Sequence, residues 1–136
     1  MLSAWYLSEW EPYYGRFGPG DARADLEARC NHDKVPLGLV AMEGNDVCGT
    51  AALDLDPATN LTPSVVGLLV RRDRRGRGIA TALLESAEGH ARRLGYGHLY
   101  MSTNVLGHLL LRLGWQPFRE VEFLNNEQGS IYKREL

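Results

Sequence analysis

The sequence has little that would bind a metal or cross a membrane. Its two cysteines, Cys30 and Cys48, lie in no metal-type spacing and form no disulfide framework, so both are expected to be buried thiols. No apolar run approaches the roughly 18 residues of a membrane span, and the first residues lack the basic and then apolar pattern of a signal peptide. These absences predict a cytoplasmic protein without a metal cofactor or a membrane partner.

The chain as a whole also lacks a large excess of charge of either sign. The 136 residues carry 15 Lys and Arg against 17 Asp and Glu, a formal net charge of −2, and 44% of them are hydrophobic. This length and composition predict a single globular domain over residues 1–136. The balance of charge argues against a general nucleic-acid binder, because such proteins carry a basic surface.

The basic residues are concentrated in a run over 71–77, which follows the apolar stretch 65–70 and precedes a helical pattern. Within it, Gly76 and Gly78 let the backbone take a positive φ and approach a ligand closely. The N–H groups of a helix start, with the helix dipole and nearby arginines, attract an anion. The run lacks the interleaved aromatics that stack on bases. A pyrophosphate cradle is therefore predicted, and a polynucleotide site is not.

Two nucleotide-binding motifs do not fit this turn. The dinucleotide fingerprint requires a third glycine, which is absent where Thr81-Ala82 follow Gly76-x-Gly78, and no Gly-Lys-Ser/Thr run of a P-loop is present. The pattern that does fit is R-x-x-G-x-G/A, filled by Arg75, Gly78 and Ala80.

Periodicity and turn signals predict alternating helices and strands. The predicted helices are 2–15, 21–30, 78–94 and 105–113, and the predicted strands are 37–42, 47–55, 64–70, 98–102, 116–124 and 130–134. Residues 56–63 are predicted to be a polar loop. In the helix over 78–94, the apolar stripe is Ile79, Leu83, Ala87, Ala91 and Leu94, with Glu85, Glu88 and Arg92 outside. A strand, a helix and a strand in succession imply one parallel pair with a right-handed crossover.

The motif over 75–80 and this order of elements resemble the GNAT superfamily of acyl-CoA N-acyltransferases. Leu113-Gly114-Trp115 matches the end of a second family motif. The resemblance implies an α+β fold with a central, mixed, mostly antiparallel twisted sheet flanked by helices. Since the predicted first helix begins at residue 2, the family's first strand is expected to be missing or truncated. That would expose a sheet edge for a second copy to cover, as a homodimer.

The resemblance implies acetyl-CoA as co-substrate and assigns residues to it. The backbone of Leu68, Leu69 and Val70 would hold the pantetheine arm, as an added strand does. Amides over six residues would hold the pyrophosphate: Arg75, Gly76, Arg77, Gly78, Ile79 and Ala80. Thr103 falls where many members have an asparagine near the coenzyme, and Asn104 lies one position off that register.

The chain departs from the family pattern at two catalytic positions. Leu110 stands where the family's tyrosine often protonates the leaving thiolate, and Val66 or Gly67 stands where many members carry a glutamate. Ser102, Thr103 and His108 are the candidate replacements. The alternative interpretation of His108 is an exposed helix residue.

The acceptor side of the site has three candidates. Asp54 and Asp56 could attract a cationic amine or relay its proton, although Asp56-Pro57 is also a turn signal. Tyr14 shares a helical face with Tyr6 and Trp10, which would line an acceptor pocket or simply pack in the core.

These expectations lead to two functional hypotheses. The first is an N-acetyltransferase that moves the acetyl group of acetyl-CoA to a primary amine of a small molecule or protein, by direct attack in a ternary complex. The alternative is a catalytically weak acyl-CoA-binding sensor or regulatory module, which Leu110 favours.

Overall fold

The computed structural model describes residues 34–123 and 126–136. The two predicted N-terminal helices, with Tyr14 and Cys30, lie outside these residues, and so does any strand that would precede them. The described elements are β1 (Leu37–Glu43), β2 (Asp46–Asp56), β3 (Leu61–Val70), a 3-10 turn (Arg72–Arg74), α1 (Ile79–Arg93), β4 (His98–Thr103), α2 (Gly107–Arg112), β5 (Gln116–Glu122) and β6 (Gln128–Glu135).

The described strands form one sheet of six, in the order β1-β2-β3-β4-β6-β5. Only β3 and β4 pair in parallel, and α1 is the crossover between them. All other neighbours are antiparallel. The predicted mixed sheet with one parallel pair is confirmed, and β1 forms one edge of the described sheet.

Helix α1 packs its apolar stripe against the sheet. Four α1 side chains are buried there: Leu83, Leu84, Ala87 and Ala91. They join sheet residues such as Leu53, Val65 and Leu99 in one core. The core therefore fixes α1 over the strands, with the N-terminal end of the helix directed at the turn that follows β3.

The prediction that Glu88 lies on the outer surface of α1 is wrong. Glu88 is only 8% exposed. Its Oε1 lies 3.1 Å from Nε of Arg134 on β6, which gives the buried carboxylate a cation. The helical period places Glu88 next to the buried face of α1. Arg134 on the last strand supplies the cation that offsets the cost of burying its carboxylate.

Several element bounds also differ from the sequence-based expectation, the starts of β3 and α2 among them. Strand β3 begins at Leu61 rather than at residue 64, because Leu61 already pairs with Asp56 across a four-residue loop. Helix α2 begins at Gly107 rather than at 105, because Oγ1 of Thr103 accepts the N–H groups of Val105 and Leu106 in a preceding turn. The 3-10 turn was not predicted. No helix in the described ranges is long and apolar enough to span a membrane.

The C-terminal end of α1 shows the predicted glycine cap. Gly95 has φ +90°, and its N–H donates to the carbonyl of Arg92 while that of Tyr96 donates to Ala91. These two bonds are the Schellman pattern, which requires a left-handed residue after the helix.

Two glycine-to-alanine changes in this region are expected to act in opposite directions. Gly95→Ala should destabilise the fold by about 1–2 kcal/mol, because alanine strains the left-handed backbone. Gly89→Ala should stabilise it by roughly 0.5–1 kcal/mol, because Gly89 lies inside α1 and a Cβ there meets nothing within 4 Å. Urea denaturation of both variants checks the pair. A loss of stability in Gly89→Ala would contradict the helix register.

Candidate functional site

The site begins with a bulge in β3. Thr50 pairs with Leu69 and Ala52 with Val66, so Gly67 and Leu68 together lie opposite Ala51. Gly67 has φ +62°, a conformation that side chains other than glycine rarely adopt. The bulge bends β3 at the place where it separates from β4, since the register of those two strands is the single pair Ser64 and Tyr100.

The backbone groups after the bulge point to alternate edges. The N–H of Arg71 donates to the carbonyl of Cys48 at 2.8 Å, which makes Gly49 and Val70 a non-hydrogen-bonded pair. The adjacent pair, Thr50 and Leu69, is then the hydrogen-bonded one. Leu69 therefore uses its backbone within the sheet. Val70, the next residue, therefore presents its backbone to the opposite edge.

Arg75 contacts the end of β3 from the turn that follows it. Its Nε donates to the carbonyl of Val70 at 3.1 Å. The arginine thus ties the end of β3 to the loop that leads into α1, and the N–H of Val70 remains directed to the edge facing β4.

The turn before α1 has the shape of an anion cradle. Gly76 and Gly78 have φ of +79° and +77°, and a Cβ on either would meet nothing within 4 Å, so backbone conformation rather than crowding calls for glycine. No side chain caps α1, and its first turn holds no acidic residue. Because the helix bond of Ala82 goes to Gly78, the amides of residues 79–81 have no partner within the helix.

Carboxylates neutralise part of the basic run. Arg74 contacts Asp73 at 3.0 Å, Glu43 at 3.2 Å and Asp46 at 3.7 Å, and these charges, Asp73 foremost, raise the pKa of Arg74 above its usual value. Arg77 also reaches Glu43, at 3.4 Å. Both arginines therefore tie the turn to the β1–β2 hairpin, and the cradle depends chiefly on backbone amides.

A second feature is an open groove of about 320 Å³ beside α2. Three predicted site residues line it: Thr103, Asn104 and His108. Further lining residues that the sequence did not single out are Glu120, Ser130 and Tyr132. The two strands that carry them pair side by side, and Oγ of Ser130 donates to the Glu120 carboxylate at 3.1 Å. The alternation of side chains along β6 indicates that Ser130 and Tyr132 share a face of the strand, but it does not tell which face meets α2.

The structure brings two other predicted residues together. Oγ of Ser102 donates to Oδ2 of Asp56 at 2.6 Å, and Asp56 is only 6% exposed. Oδ1 of Asp56 accepts the N–H of Ala58 at 2.9 Å, so the expected turn role is present as well. Asp54 accepts the N–H of Leu55 at 2.7 Å. Ser102 and Asp56 form a connected pair, separate from the residues that line the groove.

Leu110 lies in the core with no exposed surface. Its carbonyl accepts the N–H of Trp115, which is itself 1% exposed. The side chain at this position packs against its neighbours and offers no proton. Cys48 is buried and free, as expected. The described residues hold no group of three or more His, Cys, Asp and Glu side chains that fits a metal.

The sequence matches one family model. Residues 2–115 match the family described as "Acetyltransferase (GNAT) family". A search of curated protein sequences gives no significant match.

Several solved structures have a similar fold. An aminoglycoside 6'-N-acetyltransferase complexed with coenzyme A has a TM-score of 0.74 and 14% identity, over 98% of this chain and 88% of that one. A GNAT family acetyltransferase from Elizabethkingia anophelis with acetyl-CoA bound has a TM-score of 0.66 and 16% identity, over 87% and 84%. An IAA acetyltransferase from Bacillus cereus ATCC 14579 has a TM-score of 0.66 and 18% identity, over 87% of this chain and 86% of that one. At these identities the likeness concerns the fold.

Proposed function

Because the chain belongs to the acetyltransferase (GNAT) family, we propose that it transfers the acetyl group of acetyl-CoA to a primary amine. The observation that carries this proposal is the succession of a bulged strand, an uncapped glycine turn and a helix start. Similar folds bind coenzyme A and acetyl-CoA, which supports the same co-substrate here.

The pantetheine arm would lie along the edge of β3 that faces β4. The N–H of Val70 faces that edge, while its carbonyl accepts Nε of Arg75 and Leu69 is engaged with Thr50. Leu68 would present its backbone to the same edge. An amide of the arm would bond there as an added strand does. A backbone N–H of this edge would lie beside the thioester carbonyl and stabilise negative charge on its oxygen.

The pyrophosphate would bind over residues 75–80. Its oxygens would accept hydrogen bonds from the amides at the start of α1 that have no partner within the helix, and the left-handed glycines Gly76 and Gly78 shape the concave backbone around them. Thr103 and Asn104, at the end of β4, would contact the coenzyme on the other side of the opening.

The acceptor would be a primary amine of a small molecule or a protein, attacking directly in a ternary complex. Orientation of the two reactants alone is worth roughly 7–11 kcal/mol, so transfer does not depend on the missing tyrosine. Asp54 is proposed to face the amine, as is Tyr14, which lies outside the described residues, and Asp56 would reach the amine through Ser102. His108, exposed on α2, stays a candidate acid.

A second candidate function is a coenzyme-binding sensor with weak or no turnover. Leu110 favours it, since a leucine without exposed surface cannot protonate a thiolate. The coenzyme site would be the same in both cases. The two functions therefore differ only in whether an amine reacts.

Two measurements test the proposal in sequence. Calorimetric titration with acetyl-CoA should give one site per chain, and absence of binding would overturn both functions. Release of free thiol across a panel of amines, including aminoglycosides, polyamines and lysine peptides, then separates them. Thiol release above the hydrolysis rate supports the transferase, and binding without release supports the sensor.

Arg75→Ala is expected to weaken acetyl-CoA binding about tenfold. The change removes a charge from the cradle and frees the carbonyl of Val70, and a charge-assisted bond of this kind is worth roughly 1.5–3 kcal/mol. Titration calorimetry measures the loss. Arg92→Ala, which removes an exposed arginine from the far end of α1, should bind as the unmodified protein does. Equal affinity of all three proteins would remove Arg75 from the site.

A further inference from the structure

Asp56 is a buried carboxylate with an unusual set of partners. It is 6% exposed, and its two oxygens accept one hydrogen bond each, from Ala58 and Ser102. Among the described residues no lysine, arginine or histidine lies within ion-pair distance of it. Burial of a charge without a counter-ion is costly, and a neutral asparagine would complete the same turn at less cost. A purely structural role therefore explains the hydrogen bonds but not the charge.

The direction of the bond to Ser102 decides what that hydroxyl can do. A serine has one proton, and here it is given to Oδ2 of Asp56 at 2.6 Å. Ser102 cannot therefore donate to a leaving thiolate while this bond stands. Its oxygen keeps two lone pairs, and the adjacent negative charge makes them better acceptors. Ser102 is thus equipped to receive a proton and not to supply one.

Ser102 also lies at the opening between β3 and β4. Tyr100 is the β4 residue that pairs with β3, and Ser102 follows it by two positions, on the same face of the strand. The side chain is half-buried, so a ligand can reach it. The proposed thioester lies in the same opening, along the freed edge of β3.

From this geometry we infer that Ser102 and Asp56 form a relay that takes the proton of the acceptor amine. The inference rests on the proposed transfer reaction. The amine nitrogen attacks the thioester carbonyl carbon and forms the C–N bond. Its proton passes to Oγ of Ser102 as the serine's own proton passes to Oδ2 of Asp56. The C–S bond then breaks, its electron pair leaves on sulfur, and Asp56 returns its proton to solvent. Ser102 touches the reacting amine, and Asp56 acts through it as a positioning residue and final acceptor.

The test variant is Asp56→Asn. Asparagine accepts the Ala58 N–H and donates its own N–H to Ser102, so the hydrogen bonds persist while the charge is lost and the bond to Ser102 is reversed. With the amine from the panel that releases thiol fastest, kcat should fall on the order of 100-fold. The dissociation constant for acetyl-CoA should stay unchanged, and the melting temperature should stay the same or rise, because a buried charge is removed. Ser102→Ala should lose as much, and Ser102→Thr, which keeps a hydroxyl, should recover most of the rate.

The double variant Asp56→Asn with Ser102→Ala separates a relay from two independent supports. Residues of one relay lose activity together, so the double variant should be no slower than either single one. Ser86→Ala and Glu122→Gln, exposed residues outside the site, are the matched controls. Additive losses, or an Asp56→Asn enzyme with normal kcat, overturn the relay. A protein that binds acetyl-CoA but acetylates no amine also overturns it, whereas absence of acetyl-CoA binding overturns the proposed function itself.

Discussion

Replacement of Gly78 by aspartate is expected to weaken acetyl-CoA binding on the order of 100-fold, which corresponds to about 2.7 kcal/mol. Gly78 precedes α1 with φ +77°, at the point where the backbone must approach a pyrophosphate. A carboxylate there would occupy the place of the phosphate and repel it. The same carboxylate would interact favourably with the helix N-terminus, so the fold should survive.

Asparagine at the same position provides the matched control. Asn and Asp have the same size and tolerate the left-handed region similarly, so Gly78→Asn carries the steric and conformational cost without the charge. Its affinity for acetyl-CoA should lie between those of the unmodified protein and Gly78→Asp. Melting temperatures show whether both variants fold. Equal loss in the two would mean that close approach matters and phosphate charge does not.

The turn could be predicted from sequence because its chemistry is local. A buried strand, two glycines and a helix start follow one another over residues 65–80, and each is defined by its own neighbours in the chain. The same holds for Gly95 at the end of α1. The one parallel pair followed from the helix between its two strands, since a crossover helix joins parallel neighbours.

Contacts between distant parts of the chain could not be predicted in this way. Glu88 is buried because Arg134 reaches it from the last strand, 46 residues later. The pair of Ser102 and Asp56 joins β4 to the end of β2. Nothing in the local pattern at either end records such a partner. The bulge at Gly67 also depends on the register with β2, which periodicity does not give.

Introduction of the family's tyrosine at position 110 is expected to destabilise the protein without increasing turnover. Leu110 has no exposed surface and packs in the core beside Trp115. A larger side chain in a filled core costs typically 1–3 kcal/mol, and a buried hydroxyl without a partner costs about 1–3 kcal/mol more. Leu110→Tyr should therefore lower the free energy of unfolding by roughly 3 kcal/mol, as measured by urea denaturation.

Leu110→Met is the control that separates crowding by a larger side chain from the effect of any substitution at position 110. Methionine nearly conserves the volume, so the free energy of unfolding should fall by less than about 1.5 kcal/mol. Thiol release by the folded fraction of Leu110→Tyr should match that of the unmodified protein, because a phenol held in the core does not reach the thioester. If Leu110→Tyr instead folds normally and releases thiol faster, position 110 faces the coenzyme. The absence of a tyrosine would then limit the rate of this enzyme, and the relay through Ser102 would supply only the base side of the reaction.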